Sequence, residues 1–352
     1  MSLAFVSAEN VRCIEKAELE LHGGQNLLWG GNGSGKTSLL EAIFILGRGR
    51  SFRTRNTERL IRHGQAELTV VGRTLGEPER TLGVRATRGA ATVAKVGGVF
   101  VSSLAELSEI FPVQVIDPGV HKLVEESGLG RRRWLDWAAF HVEQGFVEIW
   151  TRYRRALQQR NAALRGDAGQ ALAWEPELSR WGEALAELRG RTLERLQPYW
   201  AQTVSALTQL PVELKYARGW PRESTLAEAL RVSRPRDQAR GATQWGPQRG
   251  DVQVRIEGLP ARQVASRGQQ KLIAAAMVLA QLQMLRGDLR AAPTLLLDDP
   301  AAELDASHLE AFIEQVRALQ CQLVMTSLRP DRGMFGAPDR TFHVEQGRVR
   351  PV

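Results

Sequence analysis

Cysteine is almost absent from this chain. Two residues in 352, Cys13 and Cys321, sit far apart in apolar, strand-like surroundings, which excludes a disulfide framework or a thiolate metal site and predicts two buried, reduced thiols. Long apolar runs are missing too. The stretch through Ile273 to Ala280 falls far short of the roughly 20 residues that cross a bilayer, and no basic-then-apolar leader opens the chain. No membrane association is expected, and the cytoplasm is the expected compartment. No internal repeat and no long heptad run is present, which excludes a solenoid and an extended coiled coil. Helix-turn-helix, zinc-finger and aromatic stacking patterns are likewise lacking. Lysine occupies only six positions, and two of them, Lys36 and Lys271, fall in the motifs described below.

What the chain has in quantity is arginine. Lys plus Arg is 47 against 39 for Asp plus Glu, a net charge of +8 with a pI near 10.0. That sign suits a partner built of phosphates. With 43% apolar residues, the chain can bury a sizeable core and form two or three domains.

Residues 30 to 37 read Gly30-Gly31-Asn32-Gly33-Ser34-Gly35-Lys36-Thr37, a complete phosphate-binding loop between an apolar strand (Leu27, Leu28, Trp29) and a helix (Ser38 to Phe44). The glycines let backbone N–H groups close around phosphates, Lys36 reaches the β- and γ-phosphates, and the Thr37 hydroxyl supplies a ligand for Mg²⁺. A helix starting at Lys36 also points its positive end at the nucleotide.

Before this loop, alternating residues from Leu3 to Val11 and near Ala17 to Leu21 predict strands. Residues 66 to 101 predict an antiparallel meander. From Arg131 the period changes: Leu135, Ala139, Val142, Phe146, Ile149, Tyr153 and Leu157 recur at three or four residues and predict one long helical face. Seven of the nine tryptophans fall between Trp134 and Trp220, so a separate helical lobe is expected over about 120 to 235. The stretch Arg234 to Gly241 is expected to be a flexible return. An alternating strand (Val252, Val254, Ile256), a helix from Gln269, an apolar strand (Leu295 to Leu297), a helix from Ser307 and a strand from Gln322 to Thr326 follow, a succession that belongs to an α/β sheet.

Two further constellations carry chemistry. Thr294-Leu295-Leu296-Leu297-Asp298-Asp299 is an apolar strand ending in paired carboxylates, with Asp298 the Mg²⁺ carboxylate and Asp299 the candidate to orient an attacking water. Ser266-Arg267-Gly268-Gln269-Gln270-Lys271 opens an apolar helix and can donate several hydrogen bonds to an anion. Arginines also cluster. Arg48, Arg50, Arg53, Arg55, Arg59 and Arg62 follow the phosphate-loop helix, and Arg131, Arg132 and Arg133 open the helical lobe, which also carries Arg152, Arg154, Arg155 and Arg160. Contacts to nucleic-acid phosphates without sequence preference are expected, from Arg50, Arg53, Arg55, Arg131 and Arg132 above all.

The order phosphate loop, Ser-Gly-Gln signature, paired carboxylates, then Ala302-Glu303-Leu304-Asp305 resembles the ABC-type ATPase head of transporters and SMC-like proteins. Over essentially the whole length, the chain is similar to the RecF family of bacterial recombination mediators. Asn10-Val11-Arg12, Leu46 to Arg53, Pro118 through Arg131 to Trp137, Gln158 to Leu164, Ser266 to Gln269 and Asp298 to Asp305 carry that likeness. The resemblance implies an α/β ABC-type head, with a phosphate-loop core, an antiparallel β subdomain and an inserted helical lobe. The core would span 1–118 and 241–352, and the lobe 119–240. It implies ATP and Mg²⁺ as cofactors and two nucleotides sandwiched in a head-to-tail homodimer. Gly30 to Thr37, Arg12, Ser266, Gly268, Gln269 and Asp305 would hold nucleotide, Thr37 and Asp298 the metal. Lys36, Asp299, Ser266 and Gln114, the last as the family's water- and Mg²⁺-sensing glutamine, would act in hydrolysis. Asp299 stands where the wider ATPase pattern has glutamate, and Thr326-Ser327 where transporters have a switch histidine. Slow, DNA-dependent hydrolysis used as a switch is therefore expected. The resemblance further implies duplex DNA, gaps or single-strand junctions as targets, RecR, RecO and RecA as partners, and a role in repair, replication restart and the SOS response. Another SMC-like or ABC-type ATPase subunit is the alternative.

Overall fold

The structure is a computed structural model that describes residues 2–54, 56–288, 293–300, 306–330 and 336–352. In chain order the strands before the helical region are β1 (Leu3–Val11), β2 (Ile14–Glu20), β3 (Gln25–Trp29), β4 (Glu67–Thr74), β5 (Thr81–Thr87), β6 (Val93–Val96), β7 (Val99–Phe100) and β8 (Val113–Ile116), with helices α1 (Lys36–Arg48) and α2 (Ala105–Ile110) among them. Helices α3 (Lys122–Glu125), α4 (Leu129–Val142), α5 (Phe146–Arg165) and α6 (Glu175–Leu207) follow, then β9 (Val212–Ala217), α7 (Leu226–Arg240), β10 (Asp251–Ile256), β11 (Leu259–Pro260), α8 (Ala261–Val264) and α9 (Arg267–Asp288). The last elements are β12 (Thr294–Leu297), α10 (Ala306–Ala318), β13 (Gln322–Ser327), β14 (Arg340–Glu345) and β15 (Arg348–Pro351). The chain divides into two compact units, residues 1–120 with 285–352, and residues 121–284.

The first unit holds two six-stranded sheets. One is antiparallel, in the order β2-β1-β4-β5-β6-β7, and contains the expected meander. The other runs β15-β14-β3-β13-β12-β8, parallel from β14 to β8 with β15 as an antiparallel edge. Strand β12 reads Thr-Leu-Leu-Leu with every residue buried, as a strand covered on both faces must be. Helix α1 is buried from Ser38 through Gly47. Its apolar side chains share one core with Leu3, Val6, Leu68 and Val70 of the antiparallel sheet and with Leu28, Leu296 and Val324 of the parallel one. An α-helix that is apolar on most of its surface has to be enclosed in this way. Cys13, expected to be buried, is exposed because it lies in the two-residue turn joining β1 to β2, whereas Cys321 is buried.

The second unit is helical around a core of Ala139, Phe146, Tyr153, Leu178, Leu185, Trp220 and Leu230. Four expectations are corrected here. The long apolar face is divided between α4 and α5, because Gly145 adopts φ 79 and turns the chain between them. Arg234 to Gly241 is no flexible return but the end of α7, which opens on a capping box of Thr225 and Glu228 and closes on Gly241 at φ 60. Arg160, counted among the lobe's phosphate-facing arginines, is fully buried. Its guanidinium donates to Asp237 and Thr243 at 2.8 Å each and to Glu175 at 3.0 Å. Asn161 beside it accepts from the Thr243 N–H and hydroxyl, so this part of the Gln158–Leu164 motif is a clasp on residues 237 to 243. Strand β9, which lay within the region read as helical, pairs with β10 over six residue pairs.

Candidate nucleotide-binding site

The carboxyl ends of the parallel strands define the site. Register places Trp29 beside Ser327 and Leu297 beside both Ile116 and Met325. The loop 30–35 therefore leaves β3 at the same edge where Asp298 and Asp299 leave β12, the edge at which open α/β sheets bind ligands. Gly30 donates its N–H to Ser327 O at 3.2 Å, and a Cβ at Gly30 would collide with Val344 O, so no other residue fits there. A Cβ at Gly31 or Gly33 would meet nothing, which leaves open space over the loop. The Ser34 hydroxyl is buried without a hydrogen-bond partner among the described residues. The first N–H groups of α1 lack intrahelical acceptors by construction. Loop and helix end together form an anion cradle.

Lys36 Nζ donates to Gly30 O at 2.7 Å and Gly31 O at 2.8 Å, folded over the loop it would share with a phosphate. Burial lowers its pKa, against the opposing pull of Asp299 and Asp298. Thr37 Oγ1 donates to Asp298, 3.0 Å from each carboxylate oxygen. The metal hydroxyl and metal carboxylate expected from sequence are thus brought together. Asp299 sits at φ 49, and burial, then Asp298, pushes its carboxyl above the ordinary range. Sequence reasoning missed Thr326. Its hydroxyl donates to Asp298 Oδ1 and accepts the Asp299 N–H, both at 2.9 Å, so one side chain orders both carboxylates. Sequence marked Thr326 only as part of the Thr326-Ser327 pair that stands where transporters have a switch histidine.

The remaining predicted residues are placed as follows. Gln114 is buried on β8 opposite Leu295, three positions before Asp298. Arg12, in the β1–β2 turn, forms a bidentate pair with Glu41 of α1 at 2.8 and 2.9 Å. Ser266 and Gln269, in the second unit, form a reciprocal cap on α9: Ser266 N–H donates to Gln269 Oε1 at 2.8 Å and Gln269 N–H to Ser266 Oγ at 3.3 Å. Ser266 and Gly268 are exposed, and a Cβ at Gly268 would meet nothing. Asp305 and Arg55 lie outside the described residues. Arg50 and Arg53 are exposed. Arg131 is not: its guanidinium is spent on Asp251 at 2.8 and 2.9 Å and on the carbonyls of Leu123, Val124 and Glu126, which makes it an interior strut. Arg132 donates to Gly250 O at 2.7 Å, and burial, then Arg189, lowers its pKa. A cavity of about 1030 Å³ in the second unit, lined by Tyr216, Trp220, Trp245 and Glu183 among others, includes none of the phosphate-loop residues.

A phosphate loop and paired carboxylates on a parallel sheet, backed by an antiparallel one, define a P-loop ATPase head of the ABC type. The fold is similar to that of the Smc head domain with an extended coiled coil from Pyrococcus furiosus, with a TM-score of 0.61 at 15% identity, covering 100% of this chain and 96% of that one. The model of the family described as RecF/RecN/SMC N terminal domain matches residues 2–349. The DNA replication and repair protein RecF of Shewanella loihica is 37% identical over 359 residues, 100% of each chain. The structure of the recombination mediator protein RecF-ATPrS in the RecFOR pathway superposes with a TM-score of 0.87 at 25% identity, covering 99% of this chain and 98% of that one. The chain belongs to the RecF family.

Proposed function

We propose that this chain binds ATP with Mg²⁺ in the loop 30–37 and uses it as a switch for DNA binding in recombinational repair and replication. The observation that carries the reading is the junction of Lys36, folded over the loop carbonyls, with Thr37 held on Asp298. The residues fit the group: a glycine cradle with open space above it, an orphaned Ser34 hydroxyl and a carboxylate–hydroxyl pair of oxygen donors for a hard cation. When bound, ATP would supply the phosphoanhydride that water cleaves and Mg²⁺ would neutralise charge on its phosphate oxygens. Lys36 and the α1 N–H groups would bind the phosphates, Thr37 and Asp298 the metal. Asp299 would orient water one methylene short of the usual glutamate. Gln114 would sense the metal from its strand.

In this reading Ser266, Gly268 and Gln269 of one copy, with Asp305, complete the pocket of a second copy. ATP binding closes a head-to-tail dimer on duplex DNA or a gap junction, and slow hydrolysis reopens it. The ATPase core is then 1–118 with 241–352, and 119–240 the lobe. RecO, RecR and RecA are the partners, the SOS response is a consequence and the cytoplasm is the compartment. No described helix is long and apolar enough to cross a membrane. The test is sedimentation of the wild type and of Lys36→Ala with and without ATP. ATP should convert only the wild type to a dimer, with nucleotide affinity of the variant at least about a hundredfold weaker, from two lost charge-assisted contacts. A variant that dimerises like the wild type would sink the reading.

A further inference from the structure

Helix α1 carries one carboxylate among its buried apolar residues. Glu41 lies four residues past Thr37 with its side chain 0% exposed. An apolar residue would fill that place without the cost of burying a charge. Three groups hold it instead. Arg12 Nε and Nη2 donate at 2.8 and 2.9 Å, and the Ser51 hydroxyl donates at 2.5 Å. The Arg53 guanidinium stands 3.9 Å away.

Ser51 does more than meet Glu41. Its oxygen also accepts the N–H groups of Arg53 and Thr54 at 2.9 and 3.1 Å, so the turn that presents Arg53 is built on the hydroxyl that Glu41 orients. The far end of the same segment is fastened to the β1–β2 turn. Arg12 N–H donates to Leu60 O at 2.6 Å, Arg62 N–H donates to Asn10 O at 2.9 Å, and Val11 bridges Ile61. Asn10 and Arg12 both hold φ 57 to make those contacts, a conformation uncommon outside glycine. Residues 51 to 54 and 56 to 62, with Arg53, Arg59 and Arg62, thus form a strap fastened at its two ends. One end is tied to α1 through Glu41, and the other to the turn whose Arg12 the same carboxylate grips.

We propose that Glu41 is a positioning residue that couples the phosphate loop to this arginine strap. Helix α1 is enclosed by close-packed core, so a shift at its N-terminus is carried along its length. The bidentate pair, with the Ser51 hydrogen bond beside it, turns that shift into a new setting of Arg12 and of the Arg50–Arg53 turn, because bidentate pairs constrain direction as well as distance. Coupling of this kind is reciprocal: if ATP strengthens DNA binding through Glu41, DNA strengthens ATP binding by the same factor. The inference rests on the function proposed above.

The experiment measures binding of a fluorescein-labelled DNA duplex to the full chain with and without ATP, and of a fluorescent ATP analogue with and without that duplex. Wild type, Ser51→Ala and Glu41→Gln are compared. Ser51→Ala leaves the Arg12–Glu41 pair in place. It should bind the analogue alone within about twofold of wild type, yet lose at least about fivefold of the ATP-induced gain in DNA affinity, with the reciprocal gain shrinking equally. Glu41→Gln should lose the gain altogether. If Glu41→Gln does not fold, as shown by circular dichroism, Ser51→Ala decides alone. A wild-type gain in folded variants overturns the coupling, whereas a wild type whose DNA affinity ignores ATP overturns the proposed function itself.

Discussion

Arg160 Nη1 lies 2.8 Å from Asp237 Oδ2, and neither side chain has any exposure. The pair joins α5 to α7, and Glu175 at 3.0 Å draws the start of α6 into the same network. Removing one partner strands the other in the interior. Asp237→Ala or Arg160→Leu should therefore cost about 3–5 kcal/mol in denaturant unfolding, if the second unit unfolds as part of a single transition. A loss below about 1 kcal/mol would show that the network contributes little.

Asp299 makes stability depend on pH. Burial, then Asp298, raises its carboxyl above the ordinary 3.8, with Lys36 opposing. Between 3.8 and the raised value the folded chain keeps a proton that the unfolded chain has released, so stability falls as pH rises through that window and stays lower above it. Asp299→Asn should raise the thermal midpoint of the nucleotide-free protein at pH 7, and the advantage should close toward acid pH. The same substitution should slow ATP hydrolysis about a hundredfold or more, measured as phosphate release. An unchanged midpoint across pH would contradict the first expectation.

The two thiols should differ in reactivity. Cys13 is exposed, whereas burial pushes the Cys321 thiol up to about 12. Because the thiolate is the nucleophile, native protein at pH 8 should take up one equivalent of iodoacetamide, at Cys13, read by mass spectrometry of peptides. Equal labelling of both would refute it.

The arginines should divide into two groups. Arg50→Ala should lower the slope of log affinity for duplex DNA against log salt by about 0.9, one phosphate contact. Arg131→Ala should leave that slope alone and lower the unfolding midpoint, since its partners are Asp251 and three carbonyls. A slope change for Arg131→Ala in a protein of wild-type stability would reverse the assignment.

Much of the site was legible before any coordinates. The loop 30–37 has its chemistry written in contiguous residues, and Leu295 to Asp299 has the form of a buried strand ending at a ligand edge. What misled was local. Pro235 and the charges of Arg234 to Arg240 read as a break, yet α7 continues through them because Asp237 is needed inside, at Arg160. The even apolar spacing from Leu135 to Leu157 concealed the turn at Gly145, since a period records which face is buried and says nothing of whether the axis bends.

Sequence by itself marked out the residues proposed to meet a triphosphate, because such recognition is performed by backbone geometry and side chains adjacent in the chain. Tertiary structure alone decided the fate of the arginines. A guanidinium has the same charge everywhere, and whether it is itself buried on a carboxylate partner, as at Arg160 and Arg131, or left at the surface, as at Arg59, depends on partners up to 120 residues away. The same holds for Thr326 and Glu41. Each acquires a role only when the folded sheets bring β13 beside β12 and the β1–β2 turn beside α1.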